Sequence, residues 1–163
     1  MKIARSFRAG IAVSLVAVAL LFAAAKPAEA FLDKTRFAAH LGIAYFCFHH
    51  WVLKPYEEQQ FAPGAPHRTA TIVKGGAALL FAVHEVRVSS KIAHLSKDPF
   101  LQKIAGNVDA LTGSFGAVGQ KLKSGQFNPD DIKSLLSSTT SLGSAAAAGG
   151  APIKDIPVAL PGK

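Results

Sequence analysis

From residue 31 onward the apolar positions recur at three- and four-residue steps. The runs break at Pro and Gly and never alternate in the period of two that a half-buried strand needs. That pattern predicts an all-α chain. Phe37, Leu41, Ala44, Phe48 and Trp51 share one face of a first helix over about residues 33–54, and Ile43, Phe46 and Val52 widen it. A helix apolar over so much of its girth belongs at the centre of a fold. Pro55 is expected to end it, because the residue before a proline is pushed out of the α region. Residues 55–67, with Pro63, Gly64 and Pro66 as breakers, read as a loop.

A second helix is predicted over residues 68–96, with Ile72, Gly76, Leu79, Val83 and Val86 facing inward. Asp98 caps a third helix and Pro99 suits its first turn. Leu101, Ile104, Val108, Leu111, Phe115, Val118 and Leu122 then form a seam of bundle type. Beside that seam, Gly106, Ala110, Gly113 and Ala117 make a stripe small enough for a neighbouring helix to approach closely. Asn128 and Pro129 open a fourth helix, with Asp130 and Asp131 at the positive end of its dipole. Ile132, Leu135, Leu136 and Leu142 give it a thinner apolar face, and it fades at Gly149-Gly150. Short connections favour antiparallel neighbours. Residues 31–148 are therefore predicted to form a compact four-helix bundle, with an irregular helical array as the alternative. Pro152, Pro157 and Pro161 make residues 149–163 an extended tail, either docked through Ile153, Ile156, Val158 and Leu160 or loose.

The segment before this domain has a different pattern. Lys2, Arg5 and Arg8 precede an uncharged run from Ile11 to Ala25, and Ala28-Glu29-Ala30 follows. A positive end, an apolar run of about 15 residues and small residues at the two positions a signal peptidase reads are the layout of a secretory signal peptide. Residues 1–30 are thus expected to direct export, with cleavage after Ala30, Ala28 and Ala30 serving peptidase recognition. The protein is then secreted or held at the cell envelope.

Charge narrows the partners. Of 18 Lys and Arg, four lie in residues 1–30, as does one of ten acids. The remaining chain carries 14 basic against 9 acidic side chains, a net +5. His84, Arg87, Lys91 and His94 follow one face of the second helix, and Lys97 and Lys103 extend the positive field. Arg87, Lys91, His94 and Lys97 are the candidate contacts for an anionic partner, an envelope polymer or lipid headgroups, reached through a long-range field that salt weakens. No nucleic-acid signature accompanies them. No helix after residue 31 offers an uninterrupted apolar run near the ~20 residues of a membrane span.

Six histidines and one cysteine raise the question of a ligand site. Cys47 and His50, three residues apart on a helix, could reach one metal. In an antiparallel hairpin of the first two helices, His40 falls opposite residue 82 and close to His84, where two imidazoles could grip a metal or a haem iron. His94 falls near Asp33 in the same hairpin. His40, Cys47, His50 and His84 are the metal candidates of an alternative carrier function, and no cofactor is assigned to them. A single cysteine excludes an intrachain disulfide. No nucleophile elbow, S-x-x-K motif, phosphate loop or apolar carboxylate pair points to catalysis, and no residue string resembles the signature of a known family. The sequence therefore predicts a small exported helical protein, not an enzyme, that binds or scaffolds through a basic helix face.

Overall fold

The computed structural model describes residues 28–160. Contacts divide the chain into Met1–Leu32 and Asp33–Lys163. Of the first unit only residues 28–32 are described, and they are helical. The expected signal segment therefore lies almost wholly outside the described residues. Ala28 and Ala30 fall just inside, in that short helical stretch.

The second unit is a bundle of four helices, with no strand among the described residues. Helix α1 covers residues 33–57, α2 is Arg68–Leu95, α3 is Pro99–Lys123 and α4 is Pro129–Ala148. Both predicted caps form. The Asp98 carboxylate accepts from the amides of Phe100 (2.9 Å) and Leu101 (3.1 Å), and the Asn128 side-chain oxygen accepts from Asp130 N (2.9 Å). Two of the donors left over at the start of α3, and one at the start of α4, are thus satisfied. The entire predicted α3 seam is buried, as are Ile72, Gly76, Leu79, Val83 and Val86 of α2. In α1, Phe37, Leu41, Ala44 and Phe48 are fully buried, which puts this helix at the centre of the core.

Pro55 does not end α1. The chain widens into a π-helical turn at His49–Leu53 and continues as α-helix over Lys54–Glu57. Proline lacks the N–H that would bond Trp51 O four residues back, and its ring crowds that carbonyl. A π turn bonds five residues apart, as Lys54 N to His49 O does here, and so carries the helix past the obstacle. Gly75 of α2 packs against the same carbonyl: a Cβ placed there would lie 2.9 Å from Trp51 O. The segment after α1 is also more anchored than a loop of breakers suggests. Phe61 is buried against Phe127, with ring centroids 5.1 Å apart, and its carbonyl accepts from Arg68 Nε at 2.8 Å.

The α1–α2 hairpin is antiparallel, joined at its open end by Ser96 Oγ donating to Asp33 (2.7 Å) and a little further in by Ser89 Oγ donating to Phe37 O (3.2 Å). Helices α2 and α3 make the closest pair, through Gly76 and Gly119 and not through the predicted small stripe. Gly106, Ala110, Gly113 and Ala117 are all exposed. Ala110 instead lines a shallow groove of about 330 Å³ between α3 and the serines of α4. In α4 the inward face includes Thr139, whose hydroxyl returns to Leu135 O (2.9 Å), while Leu136 is partly exposed. Helix α2 is long and apolar enough by composition to cross a membrane, although the sequence pattern argues against a span, and 44% of its most apolar window is buried within the bundle.

Residues 151–160 have no regular secondary structure. They lie across α1: Ile156 N donates to Gly42 O (3.0 Å), and Ile153, Val158 and Leu160 pack on the core. Asp155 Oδ2 lies 2.8 Å from His49 Nδ1.

Candidate functional site

The outer face of α2 carries the basic residues that the periodicity placed there. His84, Arg87, Lys91, His94 and Lys97 are all exposed, and Lys103 of α3 is exposed beyond the turn. They face outward because the opposite side of the helix, Ala82, Val83, Glu85, Val86, Ser89 and Ala93, is committed to the bundle. The stripe is not uniform. His94 Nε2 lies 2.8 Å from Asp109 Oδ2 of α3, and Ser90 Oγ donates to the other oxygen of the same carboxylate. The Ser90 hydroxyl first, and His94 second, hold the Asp109 carboxyl below its usual range. His94 thus meets an acid on α3 and not Asp33, whose partner is Ser96. Among the described residues, Arg87 and Lys91 meet no carboxylate. These two, one helical turn apart, are the free positive centre of the face.

The histidine and cysteine candidates are not brought together. His40 does reach α2 at the predicted level, but it meets Glu85: Nδ1 is 2.6 Å from Oε2. His84 precedes Glu85 by one residue, about 100° around the helix, and points outward. The hairpin level was legible and the face was not. Cys47 is fully buried, and burial first, then the Glu85 carboxylate, pushes its thiol up to about 12. A metal ligand must be the thiolate, so this thiol is poorly suited. His50 is the second residue of the π turn and is exposed, while Cys47 is buried. The His50 ring is stacked on Phe46 at 5.0 Å and edge-on to Trp51 at 4.6 Å. Among the described residues no group of three or more His, Cys, Asp or Glu is placed to hold a metal ion.

A feature that the sequence reading missed sits at the π turn. A cleft of about 320 Å³ opens between α1 and the start of α2, lined by residues including His50, Trp51, Lys54, Pro55, Glu58 and Lys74. Lys74 Nζ stands 4.0 Å from the centre of the Trp51 ring. The indole Nε1 is buried with no hydrogen-bond partner among the described residues, an omission that costs about 1–3 kcal/mol. The signal was present in the sequence as Trp51 four residues before Pro55, the spacing at which proline strips a helical carbonyl of its donor.

No family model, no curated protein and no solved structure matches the chain significantly. The functional reading therefore rests on the molecule itself.

Proposed function

We propose that the protein is a small exported, non-catalytic helical protein that binds an anionic surface at the cell envelope through the outer face of α2. The reading is carried by Arg87 and Lys91, two exposed and unneutralised cations on adjacent turns of a helix whose other side is fixed in the core. A rigid helix presents them at constant spacing, so binding orders only their side chains. Lys97 and Lys103 add to the field, while His94 is held by Asp109. Export rests on the signal-peptide layout of residues 1–30.

Sedimentation of residues 31–163 with vesicles tests this. The protein is expected to pellet with phosphatidylglycerol vesicles and not with phosphatidylcholine, to be released as salt rises, and to lose binding in Arg87→Glu/Lys91→Glu. Equal recovery on both lipids, or binding indifferent to salt and to the double substitution, overturns the electrostatic reading. If heparin binds with the same dependence and phosphatidylglycerol does not, the anionic partner is a polymer.

A further inference from the structure

The outer face of α2 is basic only over its C-terminal half. One stripe runs along it in three- and four-residue steps through Val73, Ala77, Leu80, His84, Arg87 and Lys91. Val73, at 36%, and Ala77 are exposed and Leu80 is partly so, while the inner side of the same turns is already committed to the core through Ile72, Gly76, Leu79 and Val83. From Ile72 to Val83 the helix holds one charged side chain, Lys74, which leans over the Trp51 ring of α1. The solvent side of a bundle helix is ordinarily polar. Here the most apolar window of α2 is only 44% buried, so apolar side chains on its outer side are left without cover from the bundle.

Charge says what covers it. Arg87 and Lys91 continue the stripe at one end. At the other, Lys123 of α3 is exposed, and its backbone nitrogen abuts Gly76. Among the described residues none of these three cations meets a carboxylate. The one acid of α2, Glu85, is buried and bonded to His40, and Asp109 of α3 is held by Ser90 and His94. An apolar stripe with cations at both ends and no free acid along it matches a bilayer with anionic headgroups. A soluble polyanion would engage the cations and leave Val73 and Ala77 in water. A second copy of the chain would desolvate Arg87 and Lys91 without bringing them an acid, which costs more than the small apolar contact returns.

We propose that α2 lies flat on an anionic lipid bilayer, with Val73, Ala77 and Leu80 seated among the headgroups and Arg87, Lys91 and Lys123 on the lipid phosphates. The helix rests on the surface and does not cross it, because its inner side belongs to the bundle. From Val73 to Lys91 the contact runs about 27 Å along the helix. It rests on the reading of α2 as an anion-binding face, and it names the anion as lipid.

Val73→Gln/Ala77→Gln tests the apolar half without changing charge, and glutamine is a good helix former. In residues 31–163 it is expected to lower partitioning onto phosphatidylglycerol vesicles about fivefold or more. Heparin affinity, the steepness of release by salt and far-ultraviolet circular dichroism are expected to stay unchanged. Ala77→Cys gives a second readout, because a nitrobenzoxadiazole label goes to the exposed position and not to buried Cys47. Its emission is expected to shift to the blue with phosphatidylglycerol vesicles and not with heparin. Vesicle binding indifferent to Arg87→Glu/Lys91→Glu overturns the electrostatic reading and the lipid contact with it. Binding that needs those cations, yet ignores Val73→Gln/Ala77→Gln and gives no blue shift, overturns the lipid contact alone, as does binding to heparin without binding to vesicles. A dimer of the free chain that Val73→Gln/Ala77→Gln dissociates overturns it in favour of a second copy.

Discussion

Gly76 of α2 lies directly against the backbone nitrogen of Lys123 in the last turn of α3. A Cβ at Gly76 would overlap that nitrogen and would stand 2.8 Å from both Gly119 O and Leu122 C. All three obstacles are backbone, so no side chain can swing aside. Gly76→Ala must separate the two helices, at an expected cost near the upper end of the roughly 1–3 kcal/mol range for overpacking. Gly113→Ala, with nothing within 4 Å of the added methyl, is expected to stabilise by roughly 0.5–1 kcal/mol through helix propensity. Urea denaturation of both variants checks the pair, and a neutral Gly76→Ala would show that α2 and α3 are not held in this register.

Why one glycine was legible and the other misread follows from what periodicity encodes. The burial of Gly76 is set by its place in a 3.6-residue stripe with Ile72, Leu79 and Val83, and that stripe is visible in one dimension. Gly106 and Gly113 form an equally regular stripe, but regular spacing of small residues says only that a close approach is allowed. Whether a partner uses it depends on which side of α3 its neighbours occupy, and the Leu101–Leu122 seam had already fixed that side. The caps at Asp98 and Asn128 were legible because a cap is a local hydrogen bond. The passage of α1 through Pro55 was not, because it depends on a π turn buttressed by Gly75 across the hairpin. The same limit applied to His40: its level on α2 came from counting residues, while the choice of Glu85 over His84 came from helix rotation.

The His40–Glu85 pair joins α1 to α2 at 2.6 Å, with Glu85 nearly buried and His40 about one-third exposed. Removing the imidazole leaves a buried carboxylate without its partner, and His40→Ala is expected to destabilise by about 1–3 kcal/mol. Glu85→Ala/His40→Ala should recover part of that loss, with a coupling of roughly 0.5–3 kcal/mol in a double-mutant cycle. Additive effects of the two single substitutions would show that the contact carries no net energy.

Cys47 and Tyr45 make the core sensitive to alkali. Burial, then the Glu85 carboxylate, raises the Cys47 thiol from its ordinary 9.0 to about 12. Burial, then Asp155, raises the Tyr45 phenol above its ordinary 10.0, and its O–H donates to Thr139 O at 2.7 Å. Both groups are neutral in the folded chain at a pH where the unfolded chain ionises them. Their stabilising effect is therefore complete below about pH 9 and is lost as pH rises toward 12. The urea midpoint is expected to fall progressively over that window, and to fall less in Cys47→Ala. At pH 8 the native thiol is expected to resist Ellman's reagent and to react on unfolding. Prompt reaction in the native protein would place Cys47 at the surface and remove the basis of the prediction.

The C-terminal strap depends on Gly42. A Cβ there would overlap the Lys154 carbonyl oxygen and would press Ile156 Cγ1 and Cδ1 at 3.1 and 3.2 Å. The backbone bond from Ile156 N to Gly42 O and the His49–Asp155 contact hold the strap on the same side of α1. Gly42→Leu should therefore displace residues 151–160 and leave the helices folded, because the seam of α3 and the α2–α3 contact do not involve them. The strap has little regular structure, and once lifted it becomes a substrate for proteases. Lys154 is then the expected first trypsin site, cleaved faster in Gly42→Leu than in the unsubstituted protein at equal helical content. Loss of Tyr45 packing is the competing outcome: if circular dichroism falls together with strap cleavage, the strap is an integral part of the core rather than a layer laid over it.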